Sequence, residues 1–207
     1  GKDGAALNGA TFELQRLGED GQTWETIIEG LETGTTYKAN DANDGIEGSG
    51  STGAAGRLQV TNLLWGTYRF VETEPADGYF CENADGNSVT SGTLTIDRTH
   101  LDSSLTGTNA VANEPTSLEI NKANDVGQAL EGAEFEITAQ GDSAFARPSE
   151  FAAGTYDEAT KTVTLTTDST GHIELVRQLM VGGTYTIYES GAPSGYDPAD
   201  GVLTVVV

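Results

Sequence analysis

The chain has 207 residues, 36% of them hydrophobic and 27 of them glycine, and a formal net charge of −22 from 10 basic and 32 acidic side chains. That length suits two domains of about 100 residues, each able to bury a core without metals or disulfides. The negative field argues against nucleic acid and anionic membranes as partners, and one cysteine, Cys81, excludes an intrachain disulfide.

Read in order, the chain opens in a turn, Gly1-Lys2-Asp3-Gly4. Alternating apolar and polar residues predict strands near Thr11–Leu17, Trp24–Ile28, Arg57–Thr61, Thr67–Glu72, Gly92–Asp97 and Ala110–Asn113. The Gly, Asn, Asp and Ser run from Ala39 to Gly56 reads as a mobile loop. A short, stiff joint follows at Asn113-Glu114-Pro115, because a proline restricts the residue before it. Further strands are expected at Ser117–Asn121, Ala133–Ala139, Thr162–Thr166, His172–Val176, Thr184–Glu189 and Val202–Val207. No stretch has sustained helical spacing. Short strands separated by Gly, Asn, Asp and Pro turns predict an all-β protein of sandwich type. The division falls into a domain over 1–115 and a second over 116–207. The last three valines read as an interrupted strand, so the sequence is expected to be an internal piece of a longer chain.

An internal duplication organises the whole. Leu7-Asn8-Gly9-Ala10-Thr11-Phe12 matches Leu130-Glu131-Gly132-Ala133-Glu134-Phe135. Gly56-Arg57-Leu58-Gln59-Val60 matches Gly171-His172-Ile173-Glu174-Leu175. Tyr68–Tyr79, YRFVETEPADGY, returns as Tyr185–Tyr196, YTIYESGAPSGY. In each copy a Glu, Glu72 or Glu189, follows the first Tyr by four positions and ends an apolar strand. A carboxylate there is costly to desolvate unless it is protonated or paired.

Other polar clusters read as structural. Asn40-Asp41-Ala42-Asn43-Asp44-Gly45 is one position out of step with a calcium loop and lacks the closing Glu. His100 and His172 have no zinc spacing around them, and Cys81 has no paired Cys or His in a catalytic arrangement. No metal site and no cofactor is expected. Nucleophile-elbow, phosphate-loop and dinucleotide motifs are missing, so a turnover enzyme is not expected.

LNGATF and LEGAEF, LQVTNLLWGTY with its weaker partner, the two Glu-bearing blocks and the Asn113-Glu114-Pro115 exit resemble the Cna protein B-type, or SpaA-like prealbumin-like, domains of Gram-positive surface adhesins and pilins. The resemblance spans nearly the whole chain, twice. It implies two tandem transthyretin-like β-sandwiches. It also implies an intramolecular isopeptide bond in each, between a Lys on the first strand and an Asn on the last, assisted by a buried Glu. The chemistry suits those residue types. Burial lowers the pKa of the attacking Lys, and a neutral carboxylic acid polarises the Asn amide and shuttles protons as ammonia leaves.

Carried onto this chain, the second copy offers Lys122 and Glu189, with its Asn expected beyond Val207. The first offers Glu72 and Asn113, with its Lys expected before Gly1. Lys2 is a poor substitute because it lies in a turn. The resemblance thus implies a stalk or spacer module at the cell surface, with neighbouring domains of the same chain as partners and at most a single self-directed reaction. Two further readings have it bind host extracellular matrix through the loops Ala39–Gly56 and Gly141–Ala153, or join other pilins as a sortase-built shaft. A third makes it an accessory module of a carbohydrate-processing enzyme.

Overall fold

A computed structural model describes residues 4–81, 89–106 and 109–207. Lys2 lies outside the described residues. The chain divides into two units, Gly1–Glu114 and Pro115–Val207.

In the first unit, β1 (Thr11–Leu17) lies between β2 (Trp24–Glu32) and β6 (Gly66–Glu74), and β8 (Leu94–Ile96) closes a four-stranded antiparallel sheet in the order β2-β1-β6-β8. A smaller sheet sets β3 (Thr35–Lys38) between β4 (Ser51–Thr52) and β5 (Leu58–Thr61), with β3 and β5 parallel. β7 (Tyr79–Phe80) pairs with β9 (Glu114–Pro115). The alternation that predicts β1 buries Phe12 and Leu14. With Ile28, Leu31, Tyr37 and Tyr68 they form the core, and Phe12 meets Phe70 edge to face at 6.4 Å.

The second unit pairs β10 (Ser117–Asn121) with β14 (His172–Val176). Its five-stranded sheet runs β12 (Tyr156–Asp157), β13 (Thr162–Thr166), β11 (Glu134–Ala139), β15 (Thr184–Gly191), β16 (Val202–Val206). Phe135, Ile137 and Ala139 of β11 are buried while Glu134 and Glu136 face water. Ile137, Val163, Leu175, Leu179 and Tyr185 fill the middle. The two core tyrosines hold neighbouring loops. The Tyr68 hydroxyl donates to Leu64 O at 2.6 Å, and that of Tyr185 donates to Ala144 O at 2.7 Å and accepts from Met180 N at 2.8 Å.

Two local expectations are revised. Ala110–Asn113 forms no strand; the ladder begins one residue later, at Glu114. The segment 39–56 is tethered to the body of its unit. Ala39 bridges to Ile46, and β4 lies within it. Asn43 is buried in the left-handed conformation, at φ 56°. Its side-chain amide donates to Asn40 O at 2.9 Å and Asn62 O at 3.0 Å, and accepts from Leu64 N at 2.7 Å. The amides that suggest a cation loop are engaged with backbone.

Ile137 is fully buried. Ile137→Ala should therefore destabilise the second unit by about 3 kcal/mol. Denaturant unfolding followed by a probe in that unit checks this; a loss well under about 1 kcal/mol would mean that the core is not centred there.

Candidate functional site

Each Glu continues the inward-facing row of its strand. Tyr68, Phe70 and Glu72 are spaced by two on β6, as are Tyr185, Ile187 and Glu189 on β15, so all point to the core side. Both carboxyls are buried, Glu72 at 0% exposure and Glu189 at 3%. A shared irregularity fixes their position. Phe12 pairs with Glu72 but Thr11 with Glu74, so Thr73 is passed over; Phe135 pairs with Glu189 but Glu134 with Gly191, so Ser190 is passed over. A bulge directly after the acid ends the regular pairing in both copies, a placement frequent beside functional residues. Sequence reasoning missed this bulge. No local residue pattern marks it; it shows only in the cross-strand register.

The structure brings Glu72 to Asn113. Asn113, 4% exposed, donates from Nδ2 to Glu72 Oε2 at 2.5 Å and to Phe80 O at 3.0 Å. Pairing of β9 with β7 holds the chain there. Among the described residues Glu72 Oε1 is buried without a hydrogen-bond partner. Burial pushes the Glu72 carboxyl up to about 7, against the opposing pull of the Asn113 hydrogen bond.

In the second unit the structure brings Glu189 to Lys122. Lys122 Nζ donates to Glu189 Oε2 at 2.7 Å, and the backbone N–H of Ala199 donates to the same oxygen at 2.7 Å. The ion pair is sheltered, with side-chain exposures of 16% and 2%. Lys122 follows β10, and its N–H donates to Gly171 O at 2.7 Å. Gly171 has φ 74° and lies against Lys122 O, so no side chain fits there. Glu189 Oε1 is also buried and unpartnered.

The two sites are therefore two halves of one arrangement. One has acid and amide, the other acid and amine. Among the described residues no group of three or more His, Cys, Asp or Glu is placed to hold a metal, and no helix is long and apolar enough to cross a membrane.

The model of one family, described as a SpaA prealbumin-like fold domain, matches residues 1–100 and again 116–207. No curated protein matches the chain. Among solved structures the chain is similar to the streptococcal ancillary pilin, at 22% identity over 100% of this chain and 55% of that one, with a TM-score of 0.32. It is similar to the TIE protein of Bacillus anthracis at 23% identity over 97% and 28%, with a TM-score of 0.38. A third is a mutant of the shaft pilin SpaA of Lactobacillus rhamnosus GG, at 20% identity over 98% and 82%, with a TM-score of 0.34. The chain thus spans about half of the first of these proteins and little more than a quarter of the second.

Burial of Glu72 has a pH signature. Between its ordinary value of 4.5 and about 7 the folded state keeps a proton that the unfolded state has released. Stability is therefore fully present below 4.5 and declines as pH rises towards 7, by about 3 kcal/mol in all. Glu72→Gln should remove this slope, as measured by denaturant unfolding of the first unit at several pH values. An equal slope in the variant would show that the carboxyl is ionised in the folded state.

Proposed function

Because the chain belongs to the SpaA prealbumin-like fold domain family, in two consecutive copies, we propose that it is a pair of structural spacer modules of a bacterial surface adhesin or pilin. It would stand outside the cell, anchored to a Gram-positive wall, and carry load between neighbouring domains of its own parent chain. Each sandwich would be closed by an isopeptide bond between a lysine on its first strand and an asparagine on its last. Asn113 is the electrophile of the first unit and Lys122 the nucleophile of the second, with Glu72 and Glu189 as assisting acids. The parent chain would supply the two missing reactants, a lysine before Gly1 and an asparagine after Val207.

The observation that carries this reading is the same buried carboxyl in both copies, touching an amide in one and an amine in the other. Lys122 must lose a proton to attack, and Glu189 Oε2 lies 2.7 Å from its Nζ to accept it. An amide nitrogen must gain protons to leave as ammonia. Glu72 touches Asn113 through that nitrogen, and burial keeps the Glu72 carboxyl protonated well above its ordinary range. The new C–N bond forms as the asparagine C–N bond breaks. One amine and one carboxamide give one secondary amide and one ammonia, with no oxidant or metal. The reaction happens once per domain, so the module is not a turnover enzyme.

The consequence is mechanical. First and last strands are the ones that peel under tension, and a covalent tie between them removes the low-force route, which is kinetic rather than equilibrium stability. Intact mass of the full-length parent protein tests the reading. The expected mass lies below the sequence mass by one ammonia per closed domain, and the deficit should shrink by one with Glu72→Gln and by one with Glu189→Gln. The full sequence mass in the unaltered protein would reject the crosslink while leaving the fold intact.

A further inference from the structure

The sequence has one Asn-Gly step, Asn8-Gly9, in the block that leads into β1; the second copy carries Glu131-Gly132 at the matched place. Asn8 and Glu131 are both exposed, so the position stays open to water in the copy where β10 precedes it. What surrounds the two side chains differs. The backbone N–H of Gly56 donates to Asn8 Oδ1 at 2.8 Å. The same carboxamide lies against Gly34, where a Cβ would stand 2.8 Å from Oδ1 and 2.9 Å from Cγ. In the second unit the corresponding N–H, that of Gly171, donates to Asp168 O at 2.9 Å and closes its own turn. Only the first copy aims this backbone donor at a side-chain amide carbonyl.

The residue after Asn8 suits attack on that carbonyl. The backbone nitrogen that follows an asparagine reaches its Cγ by closing a five-membered ring, and a side chain on the attacking residue obstructs the approach. Gly9 has none. It sits at φ 83°, with nothing within 4 Å of where a Cβ would stand. As Gly9 N bonds to Asn8 Cγ, negative charge gathers on Oδ1, where the Gly56 N–H already points. A donor fixed in advance at a developing oxyanion lowers the barrier to acyl transfer. Glu131 has no amide nitrogen to lose.

We propose that Asn8-Gly9 is a self-modification site of the first unit, with the Gly56 N–H as oxyanion donor: Asn8 cyclises to a succinimide, which water opens to aspartate or isoaspartate. The Gly9 N–Cγ bond forms as the Cγ–Nδ2 bond breaks. The proton of the Gly9 N–H leaves with the amide nitrogen as ammonia. Water then adds across one of the two imide carbonyl–nitrogen bonds. Water is the one co-reactant. The isoaspartate product lengthens the backbone by one methylene between buried Leu7 and the clasp at Ala10, where Ala10 N–H donates to Thr33 Oγ1 at 3.2 Å and Thr33 N–H to Ala10 O at 3.0 Å. Ageing at this step therefore loosens the entry to β1. The site stands apart from the isopeptide reading, but its succinimide is also lighter by one ammonia, so Asn8→Gln separates the two losses in an intact mass.

The test is a timed incubation of the whole 207-residue chain at neutral pH, followed by peptide mapping. A capped peptide of residues 5–13, AALNGATFE, is incubated in the same buffer. The succinimide and its two acidic products should map to position 8. They should form about tenfold faster in the folded chain than in the peptide, the worth of one hydrogen bond to a developing charge. In denaturant the chain should slow to the rate of the peptide, and Asn8→Gln should remove the products. A folded chain that reacts no faster than the peptide would overturn the proposal, because the contacts at Gly56 and Gly34 would then be shielding the amide or leaving it unaffected. An unchanged rate in denaturant, or products mapped to another asparagine, would overturn it equally.

Discussion

A carboxyl group inside a β-sandwich is the constraint around which both units are built. Desolvating an ionised carboxylate without compensation costs several kcal/mol or more. The two copies meet that cost in different ways. In the second, Lys122 and the Ala199 N–H both converge on one oxygen of Glu189. In the first, no cation is paired with Glu72 among the described residues; the group is pushed towards its neutral form and leans on the Asn113 amide. Among the described residues each solution leaves the second oxygen buried without a hydrogen-bond partner. The same buried acid stands at the same position in two otherwise divergent copies, costly as its burial is.

The surrounding fold makes the position rigid. The inward row Tyr-x-Phe/Ile-x-Glu delivers the acid to the core side, and a bulge after it ends the ladder so that the acid stays at the strand's last regular position. The tyrosine at the start of the row is pinned through its hydroxyl to the loop backbone in both units. Asn113 arrives on the segment leading into β9, and Lys122 at the end of β10. These are the exit of one unit and the entry strand of the other.

Much of this was legible in the residues. The period-two alternation located most of the long strands, and the fixed Tyr-to-Glu spacing in both copies placed the acids on the inner face before any coordinate. Lys122 was legible as the lysine ending an apolar strand. The bulges were not, because nothing local distinguishes Thr73 and Ser190 from ordinary strand residues; they arise from cross-strand register. The segment 39–56 was misread for a related reason. Its composition is that of a loose loop, yet Asn43 turns inward and uses its whole amide on backbone groups up to 21 residues away. Short pairs such as Tyr79–Phe80 and Tyr156–Asp157 have no periodicity to detect.

The most direct measurement is a carbon-detected NMR titration of the Glu72 side-chain carboxyl in the intact chain. If its neighbours hold it as described, its midpoint lies near 7, far from the ordinary 4.5, and moves when Asn113 is replaced by alanine. A midpoint near 4.5, insensitive to Asn113, would mean that water reaches the group and that no sequestered acid stands ready in the first sandwich.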